Sequence, residues 1–240
     1  MYFRKLFLLI IPLLAQISLG QHQISLGGGL QGEGFLGGDS SIKGTKFYFS
    51  DWGMGRIQFT DGKATNNGLL QVDLELDQLL VSNGPDKTQG VIVEIDKVDK
   101  FNIHEFKNNE ISPISVTFVK KEPQDFESPA KTARYYKQLT SKSDYVLEEI
   151  TKYLFDHSQD NTASFDKKSY KEYRVRNAFH IKDANGKYQK FNSLNERAFS
   201  KAYPKLKKQI KEFVGNNNID FDQASHLDTL VDFCLERTKV

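Results

Sequence analysis

The chain has 240 residues, 33 basic against 31 acidic, and a single cysteine, Cys234. One cysteine excludes an intrachain disulfide framework, so an exported version must rely on a core large enough to need no staples. The near-balance of charge argues against nucleic acid as a partner, and the length suits one core or a domain with an appendage.

Residues 1–20 read as a secretory signal peptide. Arg4 and Lys5 make a positive start, Leu6–Leu14 is apolar apart from Pro12, and Ser18-Leu19-Gly20 is a small-x-small cleavage site. The apolar run is too short to span a membrane, and a buried N-terminal helix is the weaker alternative. The expected mature chain begins at Gln21 and is exported to the periplasm, the outer membrane or the medium. Losing Arg4 and Lys5 brings the 33 basic residues level with the 31 acidic ones. Residues 21–42 form a glycine-rich arm. Gly32-Glu33-Gly34-Phe35-Leu36-Gly37 matches the dinucleotide fingerprint formally but lacks a strand–turn–helix frame, so no cofactor is expected from it.

From Lys46 to Val81 the pattern is sheet. Phe47, Tyr48 and Phe49 suit a strand, Ile57 and Phe59 alternate with Arg56, Gln58 and Thr60, and Asp61-Gly62 marks a turn. Leu70, Val72, Leu74 and Leu76 alternate with Gln71, Asp73, Glu75 and Asp77, which predicts one strand with the leucines and valine inward and the acids outward. Leu79–Val81 is a further short strand, closed by a turn at Asn83-Gly84-Pro85. Trp52, the only tryptophan, reads as a core plug, with a carbohydrate-stacking platform as the sharper alternative. The sequence Trp52-x-x-Gly55, then Asp61-Gly62, then Leu70–Val81 resembles a family of uncharacterised secreted proteins of Bacteroidota-type bacteria. It departs from that family at Gln71-Val72-Asp73. The resemblance implies a signal peptide, short strands and a charged helical tail, and it implies no activity.

The sheet is expected to continue: Gly90–Ile95 alternates, Val98, Phe101, Ile103 and Phe106 supply further apolar positions, Ile114–Val119 is a β-branched run, and Glu122–Lys131 is a linker or an irregular edge. Residues 133–155 fit both periods: Val146, Ile150, Tyr153 and Leu154 have helical spacing, while Tyr145, Leu147, Thr151, Tyr153 and Phe155 share a strand face. The resemblance implies a hairpin turning at Ser141–Asp144. Asp156–Asp166 reads as a polar loop, and Tyr170–Ile181, Asp183–Gly186 and Lys187–Phe191 as a last hairpin.

The period then becomes helical. Ser193 with Glu196 suggests a capping box, Pro204 opens a second helix stopped by Gly215, and Asp222 or Ser225 caps a third carrying Leu227, Leu230, Val231, Cys234 and Leu235. The expected fold is α+β: a mainly antiparallel meander or roll over 43–191, followed by a pair or trio of helices over 192–240.

The chemistry of the sequence is sparse. The five histidines are scattered, Asn218–Asp222 lacks the glycine and glutamate of a calcium loop, and Cys234 reads as a small buried hydrophobe. No catalytic, metal or cofactor residue is assigned. The strongest signal is Lys167–Lys211, with 14 basic residues against Glu172, Asp183 and Glu196 and with four interleaved tyrosines. Arg174, Arg176, Lys201, Lys205, Lys207, Lys208 and Lys211 are the candidate anion-binding patch. The competing expectation is a solvated face neutralised by the acidic tail, Asp220, Asp222, Asp228, Asp232 and Glu236. The leading expectation is a non-enzymatic exported interaction protein whose partner is an envelope protein or an anionic surface polymer. The alternatives are a hydrolase of envelope or extracellular glycans with unassigned carboxylates, and a structural partner of an envelope complex.

Overall fold

A computed structural model describes residues 42–82, 90–107, 110–129, 132–157 and 170–238. The expected leader 1–20, all but the last residue of the arm, the 83–85 turn and most of the 156–166 loop lie outside the described residues. Among the described residues there are eleven strands and three α-helices. The strands are β1 (Ile42–Lys43), β2 (Gly53–Phe59), β3 (Gly68–Asp73), β4 (Gln78–Ser82), β5 (Gly90–Val93), β6 (Val98–Lys107), β7 (Glu110–Lys121), β8 (Arg134–Gln138), β9 (Val146–Asp156), β10 (Lys171–Lys182) and β11 (Tyr188–Phe191). The helices are α1 (Glu196–Ala202), α2 (Lys207–Asn216) and α3 (Ala224–Thr238). Strands precede helices, so the chain is α+β.

All the strands join one sheet in the order β1-β10-β9-β8-β7-β6-β2-β3-β4-β5, with β11 also paired to β10. Only β1 runs parallel to its neighbour. The sheet curls. The Leu74 carbonyl, just past β3, accepts a hydrogen bond from the Lys152 amide of β9 at 3.0 Å. The segment between β1 and β2 follows the same closure, with Phe47 bridging Asp73. The concave face buries Ile57, Leu70, Val72, Val98, Phe101 and Phe118. Phe101 stacks on Phe118 at 5.1 Å and meets Tyr135 edge-on at 5.2 Å, each ring contributing offset-stacked or T-shaped contact beyond its buried area.

The helices cover the β9–β10 end of this face. Val146 and Ile181, paired across those strands, join Phe199, Ile210, Leu230 and Cys234 in one apolar cluster. Phe213 of α2 stacks on Phe233 of α3 at 4.0 Å. Burial pushes the Cys234 thiol up to about 12, so it stays an inert hydrophobe. A smaller core lies on the convex side, where Phe126 covers Val119, Tyr136, Leu147 and Tyr188. This explains the double period of 133–155. Its strands are covered on both faces, so apolar side chains stop alternating with polar ones. The region is the hairpin β8–β9, with Gln138 opposite Leu147.

Four local expectations are corrected. β3 ends at Asp73, and Leu74–Asp77 is a turn rather than more strand. Asp73 is buried, accepting hydrogen bonds from the Glu75 and Leu76 amides at 3.0 and 2.9 Å and pairing with Lys46 at 2.8 Å. An aspartate that caps a turn through its own side chain interrupts the ladder, and Leu76 is left 58% exposed. Lys46–Ser50 is a bent crossing with one bridge at Phe47, because its residues must leave β1 and reach β3. The α1 cap is Asn195, which accepts from the Ala198 amide at 3.0 Å, two residues after Ser193. Gly215 lies inside α2, which runs to Asn216. Trp52 is buried against Phe47 and Leu80, as a core plug.

Candidate anion-binding surface

The predicted basic patch divides in two. Residues alternate in direction along β10, and Ile181 enters the helical cluster, so Arg174 and Arg176 project from the opposite face. Arg176 lies five residues from Ile181, roughly 17 Å along the strand. Arg174 is engaged locally: its guanidinium lies 3.5 Å from the Phe155 ring centroid and its Nε is 2.6 Å from Glu172 Oε1. Arg174 and His157 hold the Glu172 carboxyl below its ordinary range. Arg176 sits 5.3 Å over Tyr153. Cation–aromatic stacking accounts for both arginines without a ligand.

The five lysines stay together. Lys201 belongs to α1, Lys205 to the turn Pro204–Leu206, and Lys207, Lys208 and Lys211 to α2, and all are exposed. Leu206 and Ile210 on the same helical segment are buried, so the lysines take the solvent side by helical period. With Arg197 they make six cations over Arg197–Lys211, and no acid interrupts them.

Three of the five acids of the tail are engaged elsewhere. Asp228, only 5% exposed, accepts hydrogen bonds from the Ser141 amide at 3.1 Å, from the Ser141 hydroxyl and from the Lys142 amide. Asp232 pairs with Lys142 at 3.3 Å. Asp220 accepts from the Asp222 amide and the Gln223 side chain, and those bonds hold its carboxyl below the usual value. No ion pair among the described residues joins the tail to Lys201, Lys205, Lys207, Lys208 or Lys211. Asp228 was missed as a structural residue because its partners are 86–87 positions away in sequence.

Two other clusters are built but internal. On the convex face Glu149 receives His180 Nε2 at 3.1 Å, Lys190 Nζ at 2.7 Å and Arg134 at 3.0 Å. The hydrogen bond from His180, opposed by burial and reinforced by Lys190 and Arg134, lowers its carboxyl to about 2. On the concave face Glu148 takes Lys137 at 2.9 Å and Asn177 at 2.8 Å. The Glu149 carboxylate is thereby satisfied as an anion, which removes it as a proton donor. Among the described residues no three His, Cys, Asp or Glu side chains gather as a metal ion would need.

Fold and surface together define an α+β chain with a curled antiparallel sheet, a helical cap and an uncompensated basic helical face. No protein-family model, no curated protein and no solved structure matches it. No helix among the described residues is long and apolar enough to cross a membrane.

Proposed function

We propose that the protein is an exported, non-enzymatic binding module that attaches to an anionic surface polymer of the cell envelope through the lysine face of α1 and α2. The observation that carries this is the commitment of Asp220, Asp228 and Asp232 to loop contacts, which leaves six cations over Arg197–Lys211 without counter-ions among the described residues. Uncompensated like charges attract polyanions over about a Debye length, and the attraction weakens with salt. The mature chain should be retained on immobilised dextran sulfate and pass through neutral dextran. Lys205→Gln, Lys207→Gln, Lys208→Gln and Lys211→Gln together should lower the eluting salt concentration by about half. Unchanged elution would defeat the reading. The Ser18-Leu19-Gly20 junction is checked by N-terminal mass analysis, which should find Gln21 first.

A hydrolytic reading has one observation in its favour. Asp77 lines a hollow of about 640 Å³ with Glu75 and Glu94, and burial raises its carboxyl against the opposing pull of Arg134 at 3.2 Å. Glycosidic cleavage pairs a raised carboxyl with a second carboxylate, and Glu75 and Glu94 line the same hollow. Release of reducing ends from envelope glycans, abolished by Asp77→Asn, would support it over the binding reading.

A further inference from the structure

A hollow of about 720 Å³ lies on the convex face of β2, β6 and β7 and is walled by the loop between β8 and β9. It falls within the usual size of small-ligand sites, about 300–1,000 Å³. Its floor follows from strand register. Arg56 opposes Asn102, which opposes Thr117, and in the next row Gln58 opposes Lys100. Arg56 and Lys100 are therefore diagonal neighbours, about 7–8 Å apart. Both are exposed, and neither makes a hydrogen bond or ion pair among the described residues. Gln58, Asn102 and Thr117 also have unoccupied side-chain polar groups there.

The wall is fixed. Ser141 and Lys142 are clamped by Asp228 of α3, and the Thr140 hydroxyl donates to the Ser143 carbonyl. Asp144 is neutralised from two sides, by Lys121 and by Lys182 at 3.9 Å. Burial raises its carboxyl, but the lysines overcome this and hold it below its ordinary range. The hollow thus carries the charges of Arg56, Lys100, Lys121 and Lys142 against Asp99 and Asp144. A free cation pair beside three neutral polar groups, with Asp99 as an acceptor, suits a ligand bearing both acid groups and hydroxyls. A bare phosphate would use the cations and be repelled by Asp99.

We propose that this hollow is a second binding site, independent of the lysine face, and that it holds a short acidic oligosaccharide. Arg56 and Lys100 engage its carboxylates, while Gln58, Asn102, Thr117 and Asp99 engage its hydroxyls. The Arg56 guanidinium offers the planar fork that matches a carboxylate bidentately.

The test is calorimetric titration of the full mature chain with tetragalacturonate, with maltotetraose as the uncharged control. Binding of the first and not of the second is expected. Arg56→Gln with Lys100→Gln should weaken it about tenfold or more, since each lost charge-assisted contact is worth about that factor. Both side chains are exposed, so an unchanged melting temperature should accompany the loss. The variant lacking Lys205, Lys207, Lys208 and Lys211 charges should bind tetragalacturonate as the parent does, which separates this site from the lysine face. The proposal is overturned by no binding, by equal binding of maltotetraose, by unchanged affinity in Arg56→Gln/Lys100→Gln, or by full displacement with equimolar sulfate.

Discussion

Asp228→Ala should loosen the helical cap and the wall of the convex hollow at once. The Asp228 carboxylate ties the first half of α3 to the β8–β9 loop through the Ser141 amide, the Ser141 hydroxyl and the Lys142 amide. Hydrogen bonds to a charged group are worth about 1.5–3 kcal/mol each, and a buried donor left alone costs about 1–3 kcal/mol. The three are not additive, because they share one carboxylate. Ser141 and Lys142 are themselves exposed, so water replaces part of what is lost. The net cost should be about 2 kcal/mol. With a urea slope of about 2–3 kcal/mol per molar, the unfolding midpoint should fall by about 0.7–1 M. Asp228→Asn, which keeps one acceptor oxygen, should fall by about half as much. Urea melts followed by tryptophan fluorescence report this through buried Trp52, which lies just before β2, far along the chain from α3. A midpoint within about 0.2 M of the parent for Asp228→Ala would refute the clamp. The folded variant should also bind tetragalacturonate more weakly, because its wall is free to move.

Other expectations follow from the same packing. Leu74→Ala should destabilise by about 2–5 kcal/mol and Leu76→Ala by under about 0.5, since Leu74 is 4% and Leu76 58% exposed; equal urea midpoints would show the turn misplaced. Gly55→Ala should cost about 1–3 kcal/mol or more, because its Cβ would meet the Asn102 carbonyl oxygen and come within 2.7 Å of Leu70 Cδ1; a parent-like thermal midpoint would contradict that. Glu149, lowered from 4.5 to about 2, stabilises the fold fully above pH about 4.5 and loses that contribution as pH falls toward 2. Its share at neutral pH is about 3 kcal/mol, so Glu149→Gln should be less stable than the parent at pH 7 and converge with it near pH 2 in urea melts. A chain ending at Gly215 lacks α3 and uncovers Ile210 and Phe213, so it should become trypsin-sensitive; a cooperative melt at the parent temperature would show the tail independent of the sheet.

Much of the sheet was legible because its strands have one wet face. β2 buries Ile57 and exposes Arg56, so its alternation survives in the sequence. Residues 133–155 were ambiguous because Val146 faces the helices while Leu147 lies under Phe126 and Tyr188. Two-sided burial erases the period that separates strand from helix. The end of β3 was misread for a related reason. Leu70, Val72, Leu74 and Leu76 alternate without a break, and only the buried Asp73, held by Lys46, marks where the ladder stops. A charge pair between residues 27 positions apart leaves no local signature.

The basic patch was partly legible for a similar physical reason. Lys205, Lys207, Lys208 and Lys211 share a face by helical spacing, which is a local property. Whether Arg174 and Arg176 join them depends on which side of β10 the helices pack, and that is decided by Ile181. The near-balance of charge over the whole chain also misleads, because charge cancels across space and not along sequence. Asp228 and Asp232 are close to the lysines in sequence, yet both are spent on the β8–β9 loop. The basic face and the clamped wall are thus two results of one arrangement. The carboxylates of α3 that could have neutralised the helical lysines instead hold Ser141 and Lys142 in place beside the convex hollow. Replacing Asp228 should therefore weaken the hollow while leaving retention on dextran sulfate undiminished, a divergence that a merely unfolded variant would not show.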